Sequence, residues 1–258
     1  MTKVIVLDFG SQYTQLIARK IRELGVFSEI FPFNTALSRV EKEAPAALIL
    51  SGGPQSVYEK DAPLPSAEIF KMGIPVLGIC YGLQLMAHLM GGKVVPSKKR
   101  EYGFASLKVL ERKGLLSGVK DKEQVWMSHG DRVVKVPPGF IVTGRTTGCA
   151  TAVMEERRRK LFGVQFHPEV IHTKQGNKIL SNFLFSISGL KAEWKVKPFI
   201  EQKVREIREQ VKRERVICGL SGGVDSLVAF LIVQKAVKRN LFCIFVDNGL
   251  LRKGQYEE

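Results

Sequence analysis

The sequence predicts an α/β fold: an open, largely parallel sheet flanked by helices, followed by the start of a second α/β nucleotide-binding domain. Short apolar runs alternate with helical patterns from the first residues onward, which is the pattern of strand–helix–strand units. Several of these runs are apolar throughout, as strands covered on both faces are. Hydrophobic residues make up 45% and charged residues 25% of the 258, a composition typical of globular domains.

The first part of the chain supplies three strands and two helices. We predict strands at residues 4–7, 46–50 and 75–79, because each is a short, continuous apolar run next to turn-forming residues. A helix at residues 15–24 follows the first strand. A second helix at residues 83–90 follows the third strand and ends at two glycines, a common helix stop.

Short strands and a closing helix complete this first domain. Between residues 93 and 166, Gly and Pro turns separate short strands, of which the last is residues 161–166. Residues 176–187 then read as a helix. We place a boundary near Gly189, so that residues 1–190 form the first domain.

The remaining residues, 191–258, repeat the strand–helix alternation only once. The predicted elements are, in order, a helix at 200–211, a strand at 215–220, a loop at 221–226, a helix at 227–238 and a strand at 241–246. One strand–helix–strand unit cannot cover both faces of a parallel sheet. We therefore expect this second domain to be incomplete.

The net charge of +15 is concentrated in residues 93–160, which carry a surplus of nine positive charges. Such a surplus attracts anions, including nucleic acid. No stacking-aromatic motif accompanies it, so we expect no nucleic-acid partner. No apolar run reaches the ~18 residues that a bilayer span needs, and we expect no membrane partner and a cytoplasmic location.

The four cysteines lie far apart and form no CxxC pair, so neither a disulfide framework nor a zinc site is expected. Cys149, Cys218 and Cys243 lack neighbours that would activate a thiol, and we expect them in the core.

Cys80 differs, since Gly78-Ile-Cys-Tyr-Gly82 lies between a strand and a helix. This is the cysteine version of the G-x-S-x-G nucleophile elbow, with a structural cysteine at a Gly-rich turn as the alternative.

His167-Pro168-Glu169 completes a candidate catalytic triad with Cys80. A His and a Glu two residues apart on extended backbone point the same way, and a proline between them favours that backbone. The carboxylate can then orient the imidazole toward the cysteine. The backbone N–H groups of Tyr81 and Gly52 are the candidate donors to a developing oxyanion. An incidental His and Glu in a surface loop is the alternative.

These residues carry a resemblance. Together with Leu50-Ser-Gly-Gly-Pro54 and Ser128-His-Gly-Asp131, the triad resembles class I glutamine amidotransferases, which hydrolyse glutamine to glutamate and ammonia. Residues 8–13 (Asp-Phe-Gly-Ser-Gln-Tyr) and 126–131 (Trp-Met-Ser-His-Gly-Asp) are similar to the glutamine-hydrolysing GMP synthase family. The resemblance implies that four residues bind the substrate glutamine: Gln84, Ser128, His129 and Asp131. For Gln84, a helix surface position is the alternative.

A second motif follows the strand predicted at residues 215–220. Ser221-Gly-Gly-Val-Asp-Ser226 is a Ser/Gly loop that leads into a helix, and its backbone N–H groups can form an anion cradle. It lacks the Gly-Lys-Ser/Thr of a Walker A loop. It resembles the loop of ATP pyrophosphatases, which implies an ATP-binding set: Ser221, Gly222, Gly223, Val224, Asp225, Ser226 and, after the next strand, Asp247. A plain strand–helix turn is the alternative.

The resemblance implies a glutamine-dependent GMP synthase, an enzyme of purine biosynthesis. Ammonia released from glutamine would aminate xanthosine monophosphate in an ATP-dependent reaction. ATP is then a substrate, Mg²⁺ is expected near Asp225, and no permanently bound cofactor is expected. The family forms homodimers through a further domain that we do not find in the 258 residues. Alternatives are a non-synthesising fragment, with residual glutaminase activity or an inactive or regulatory role, and a free-standing glutaminase subunit.

Overall fold

The computed structural model describes residues 2–245, with the side chains of residues 98–100 left out. The chain divides into two compact units, Met1–Glu193 and Trp194–Glu258. Within the described range, no helix is long and apolar enough to cross a bilayer.

The first unit is built on one nine-stranded sheet with the order β2-β1-β3-β4-β9-β8-β7-β5-β6. The strands are β1 Lys3–Asp8, β2 Phe27–Pro32, β3 Ala47–Leu50, β4 Val76–Ile79, β5 Lys93–Val109, β6 Lys122–Lys135, β7 Ile141–Arg145, β8 Val153–Glu156 and β9 Leu161–Val164. The five strands from β2 to β9 in this order run parallel. The remaining pairs are antiparallel, so the sheet is mixed.

The apolar runs of the sequence form the buried strands of the parallel half of the sheet. β3 and β4 are buried at every position, and β1 is buried at its four central residues. One apolar cluster lies on each face of this half, with Val4, Val6 and Ile49 on one side and Ile5 and Leu48 on the other. The carboxyl ends of parallel strands meet at one sheet edge, where α/β proteins place their ligands.

The antiparallel half contains short strands, β7 and β8, as the sequence predicts, but its other two strands are long. β5 and β6 form one long hairpin, with 17 and 14 residues respectively. β6 alternates between buried and partly exposed residues over most of its length, which is the pattern of a strand with one covered face. The pairing of β5 with β6 shifts register between Pro96 and Glu101.

The helices of the first unit are α1 Thr14–Glu23, α2 Leu37–Lys42, α3 Tyr81–Leu89 and α4 Gly176–Ser181. Short 3₁₀ helices span Ala67–Lys71 and Gly114–Leu116. The predicted closing helix exists, but its second half, Asn182–Ile187, is a π-helix. β2 and α2 were not predicted from the sequence.

The second unit contains α5 Val196–Val211, β10 Val216–Leu220, α6 Val224–Val237, a 3₁₀ turn at Lys238–Asn240, and β11 Leu241–Phe245. β10 and β11 pair in parallel. α6 begins three residues earlier than predicted. Cys218 is only half-buried and Cys243 is exposed, so the prediction that both lie in a core is wrong for this unit; Cys149 is buried in the first.

Candidate active site

Cys80 lies on the tight turn between β4 and α3 and has a left-handed backbone with φ +54°. Its two flanking glycines are required by close backbone packing. A Cβ on Gly78 would collide with the carbonyl oxygen of Gly82, and a Cβ on Gly82 with that of Leu50. A positive φ at a non-glycine residue is strained and persists only where the surroundings impose it, so the turn fixes the thiol in place.

The two oxyanion candidates are Tyr81, which directly follows Cys80, and Gly52, which follows β3. Tyr81 is the first residue of α3, and the first N–H groups of a helix have no partner within it. The helix dipole adds partial positive charge there. Gly52 lies against the imidazole, since a Cβ on it would be 3.3 Å from Cε1 of His167. The role of these two backbone N–H groups as oxyanion donors stays a prediction.

His167 and Glu169 form a buried pair in which Nδ1 and Oε1 are 2.7 Å apart. The backbone N–H of His167 donates to the carbonyl of Trp126. The backbone carbonyl of His167 accepts a hydrogen bond from Thr173 Oγ1 at 2.6 Å. The ring of Tyr13 packs edge-on at 5.0 Å from the imidazole. Position and orientation of the imidazole are thereby fixed from several sides.

The pKa of His167 is raised well above its ordinary value. Burial by itself lowers this pKa, but the charge of Glu169, together with hydrogen bonds to Cys80 and Glu169, more than offsets it. Glu169 and Cys80 therefore both favour the protonated form of the His167 imidazole. The structure brings together all three residues of the predicted triad.

Gln165 is a neighbour of Cys80 that sequence reasoning missed. Its Nε2 lies 3.7 Å from Sγ of Cys80, and its Oε1 accepts from Gln84 Nε2 at 3.2 Å. The carbonyl of Ser128 lies 3.5 Å from the same sulfur. Gln165 directly follows β9 and precedes His167 by two residues.

The residues predicted to bind glutamine lie on one wall of the site. Gln84 is buried on α3 rather than on a helix surface, and its Nε2 donates to the carbonyl of Asp131 at 2.9 Å. The carboxylate of Asp131 accepts from the hydroxyl of Tyr58 at 2.7 Å. Tyr58 was not predicted, because it lies in a loop without a motif.

His129 is held by a pair of contacts. Its Nδ1 lies 2.8 Å from the carbonyl of Asp131, and its Nε2 lies 3.0 Å from Oε2 of Glu101. Glu101, His129 and Cys149 bring one oxygen, one nitrogen and one sulfur within 4.8 Å of one another. Burial raises the pKa of Cys149 to about 12.

A cavity of about 660 Å³ joins these residues at the carboxyl edge of the parallel strands. Its lining includes Cys80, His167, Gln84 and the segment 128–131. The volume suits a small molecule. Its polar walls offer partners for a charged ligand with several hydrogen-bonding groups.

The predicted phosphate loop lies in the second unit. Ser226 Oγ accepts from the backbone N–H of Ser221 at 3.3 Å and donates to the carbonyl of Gly223 at 2.8 Å. Gly222 has φ +73°, and α6 begins directly after the glycines. Val224 and Asp225 are therefore in its first turn. Asp247 lies outside the described residues.

A family model described as "Glutamine amidotransferase class-I" matches residues 5–187, which contain the elbow, the triad and the cavity. The chain belongs to the class-I glutamine amidotransferase family. It is therefore an enzyme by family, and the α/β fold that the sequence predicts is confirmed.

Two curated relatives of this class-I amidotransferase chain are named "GMP synthase [glutamine-hydrolyzing]". The relative from Carboxydothermus hydrogenoformans is 55% identical over 257 residues, which cover 100% of this chain and 50% of the relative. The relative from Caldicellulosiruptor saccharolyticus is 51% identical and covers 99% of this chain and 50% of the relative. The chain thus spans about half the length of the relatives it matches.

Solved structures agree with the fold of the class-I amidotransferases. A Thermoplasma acidophilum protein, assigned as one of the subunits of a GMP synthase, superposes with a TM-score of 0.66 at 32% identity, covering 73% of this chain and 94% of that protein. A glutamine amidotransferase of Thermotoga maritima gives a TM-score of 0.59 at 19% identity, covering 72% of this chain and 98% of that one. The second likeness concerns the fold alone.

Proposed function

We propose that the first unit hydrolyses the side-chain amide of glutamine, with Cys80 as nucleophile, His167 as acid and base, and Glu169 as the residue that orients His167. The observation that carries the proposal is the buried His167–Glu169 pair, in which Nδ1 and Oε1 are 2.7 Å apart, and which borders the same cavity as Cys80 on its strained elbow. Membership of the class-I glutamine amidotransferases supports the choice of substrate.

The geometry supports a two-step acyl transfer. Sulfur of Cys80, as thiolate, attacks the amide carbon, and the electron pair of the C=O bond moves to oxygen. That oxygen would accept hydrogen bonds from the N–H groups of Tyr81 and Gly52. When the C–N bond breaks, the imidazolium of His167 gives its Nε2 proton to the leaving nitrogen, and ammonia departs. The product on the enzyme is a glutamyl thioester.

Water completes the cycle. Neutral His167 takes a proton from water, hydroxide oxygen bonds to the thioester carbon, and the C–S bond breaks to release glutamate and return the thiolate. Glu169 stays ionised throughout and stabilises the imidazolium. One backbone oxyanion donor is typically worth about 10²–10³ in rate, so the elbow contributes through its backbone as well as its sulfur.

The α-amino and α-carboxylate groups of glutamine would be held by the wall that carries Gln84, Ser128, His129 and Asp131. The Asp131 carboxylate suits the ammonium group. Both N–H donors of Gln84 are taken by the carbonyl of Asp131 and by Gln165, so Gln84 would offer its Oε1 as an acceptor. Tyr58 would keep the Asp131 carboxylate in position.

Glutamate release from glutamine tests this proposal. We expect Cys80→Ala to abolish release, while Cys243→Ala, which removes an exposed thiol from the second unit, leaves it unchanged. Equal activity of wild type and Cys80→Ala would overturn the proposal. Thermal unfolding of each variant shows that the loss is not a loss of fold.

We further propose that the protein works as a glutamine-dependent GMP synthase in purine biosynthesis. Ammonia from the first unit would displace AMP from an adenylated xanthosine monophosphate, with ATP as the second substrate. The support is the 55% identity to a relative of that name, over the full length of this chain. A homodimer and a cytoplasmic location are part of the same proposal.

In the second unit, ATP would place its pyrophosphate end on the Ser221–Ser226 loop. The glycine backbone and the start of α6 form an anion cradle there, with Asp247 approaching from the next strand. Mg²⁺ fits this proposal, because Asp225 in the first turn of α6 offers the carboxylate oxygens that this ion prefers. Magnesium would screen the phosphate charge; Ser221, Ser226 and the backbone would orient the phosphates.

Complementation tests this second proposal. The chain is mixed with the part of the Carboxydothermus hydrogenoformans relative that follows the matched region, and GMP formation is measured with xanthosine monophosphate, ATP and Mg²⁺. We expect GMP from glutamine with wild type but not with Cys80→Ala, and GMP from ammonium chloride with both. No GMP from either nitrogen source would contradict the proposal.

A free-standing glutaminase is the second candidate. It is favoured by the Thermoplasma acidophilum protein, whose length is matched almost entirely by 73% of this chain. The second unit with its phosphate loop has no use in such a glutaminase. By contrast, a non-synthesising fragment with residual glutaminase or regulatory activity predicts glutamate release without GMP in the complementation assay.

A further inference from the structure

A second cavity, of about 620 Å³, lies in the antiparallel half of the first unit. Among the described residues, the charged groups that line it are four cations, Lys108, Lys122, Arg132 and Arg145. The carboxylate of Glu101 contacts the lining residue Thr146 and lies close to Gly148. The other lining residues are small or carry hydroxyl groups: Ser106, Thr146, Thr147, Gly148 and Ala150. The catalytic residues proposed above lie in the other cavity, so this one has no assigned role.

Three of these cations form a row across neighbouring strands. Lys108 on β5 lies directly opposite Lys122 on β6 and directly opposite Arg145 on β7. Residues directly opposite in a sheet share one face, and like charges in that arrangement destabilise it. Because neighbouring strands lie about 4.8 Å apart, the row spans about 10 Å.

Lys108, Lys122 and Arg145 are exposed to solvent, and none of them forms an ion pair with a carboxylate in the described part of the chain. Each resolved ion pair of the first unit involves other basic groups. Arg132 reaches the same cavity from farther along β6, and its Nε is buried without a hydrogen-bond partner among the described residues. A buried donor left unpaired is costly, and an anion in the cavity would satisfy it.

We propose that this cavity binds a ligand with two or three linked phosphate groups. Three features select that chemistry: a linear row of cations longer than one phosphate, the hydroxyl groups of Ser106 and Thr147 along its side, and a lining that, among the described residues, includes no carboxylate. Arg and Lys are the side chains that bind phosphate oxygens most strongly. The inference does not depend on glutamine hydrolysis.

The cavity has one link to the proposed active site. Thr146 Oγ1 donates to Oε1 of Glu101 at 3.4 Å, and Oε2 of the same carboxylate contacts His129. Glu101 therefore stands between the two cavities. Only Thr146 and Glu101 would then separate a phosphate ligand beside Thr146 from His129, which belongs to the wall proposed to hold glutamine.

Calorimetric titration of the full chain with inorganic pyrophosphate tests the proposal. We expect Arg145→Gln and Lys108→Gln each to weaken pyrophosphate binding about tenfold, as loss of one hydrogen bond to a charged group does. The matched controls Arg158→Gln and Lys120→Gln remove exposed charges outside the cavity and should change affinity less than twofold. Equal weakening by all four variants would show a mere effect of net charge and overturn the proposal.

Hydrogen exchange separates this site from the Ser221–Ser226 loop, which also attracts phosphate. Pyrophosphate should protect the amides of residues 143–150 in wild type and in Cys80→Ala, and Arg145→Gln should lose that protection. Protection confined to residues 219–226 would overturn the proposal. Comparing ATP with tripolyphosphate identifies the source: tighter binding of ATP indicates a nucleotide, and equal binding a free phosphate chain.

Discussion

Replacing Glu169 by Gln tests how the His167 imidazole is controlled. The substitution keeps the shape of the side chain and removes its charge from a pair in which both residues are at most 3% exposed. Breaking a buried, hydrogen-bonded charge pair costs about 3–5 kcal/mol. We expect the transition state, in which His167 gives up its proton beside Glu169, to lose a similar amount of stabilisation. At about 1.4 kcal/mol per tenfold in rate, kcat/KM for glutamine should then fall by about 10² to 4 × 10³.

The pH profile gives the same prediction an independent readout. Burial lowers the pKa of His167, and Glu169 and Cys80 raise it above the ordinary value. Without the Glu169 charge the pKa should fall, so the alkaline limb of the kcat/KM profile should move to lower pH. Initial rates of glutamate release over a pH series measure both effects.

A matched control is Glu155→Gln, which removes another fully buried carboxylate, one bound to Arg157 rather than to the catalytic histidine. It should lower the free energy of unfolding without shifting the pH profile. If Glu169→Gln retained more than a tenth of the wild-type kcat/KM with an unchanged alkaline limb, the assigned role of Glu169 would be wrong.

Three further predictions concern the elbow, the substrate wall and pH-dependent stability. Gly82→Ala should lower the unfolding free energy measured in urea by about 1–3 kcal/mol, although Gly→Ala in a helix is ordinarily stabilising, because the new Cβ meets a backbone carbonyl. Tyr58→Phe removes the 2.7 Å bond to Asp131 and should raise KM for glutamine about three- to tenfold with kcat unchanged; a kcat effect alone would contradict this. Folding raises the pKa of His167, so protonated His167 stabilises the folded state. This contribution to the free energy of unfolding is fully present below the pKa of ~6.5 that His167 has in the unfolded chain, and it is lost as the pH rises through the pKa of the folded state. The difference in unfolding free energy between wild type and Glu169→Gln should shrink accordingly in alkaline buffer.

The central strands β3 and β4 could be predicted because they are buried on both faces. No polar residue interrupts their apolar runs. β2 was missed because Phe27–Pro32 includes Glu29 and ends in Pro32, features of an edge strand. The long β5–β6 hairpin was predicted as several short strands, since only its one covered face carries the apolar signal.

The triad could be predicted because its residues lie within two short motifs whose spacing has a direct geometric meaning. Gln165 could not, because a buried amide that contacts a sulfur carries no sequence signature. The Glu101–His129 pair depends on the register shift between Pro96 and Glu101, which no local pattern shows. The cation row of Lys108, Lys122 and Arg145 likewise exists only through strand pairing.

The most direct test of the account is to trap the covalent intermediate. The chain is mixed with glutamine, quenched rapidly in acid, digested and analysed by mass spectrometry. We expect one glutamyl group on the peptide that contains Cys80. The fraction of this peptide that carries the group should rise when thioester hydrolysis is slowed. A glutamyl group on another cysteine, or turnover of glutamine by a Cys80→Ala chain, would contradict it.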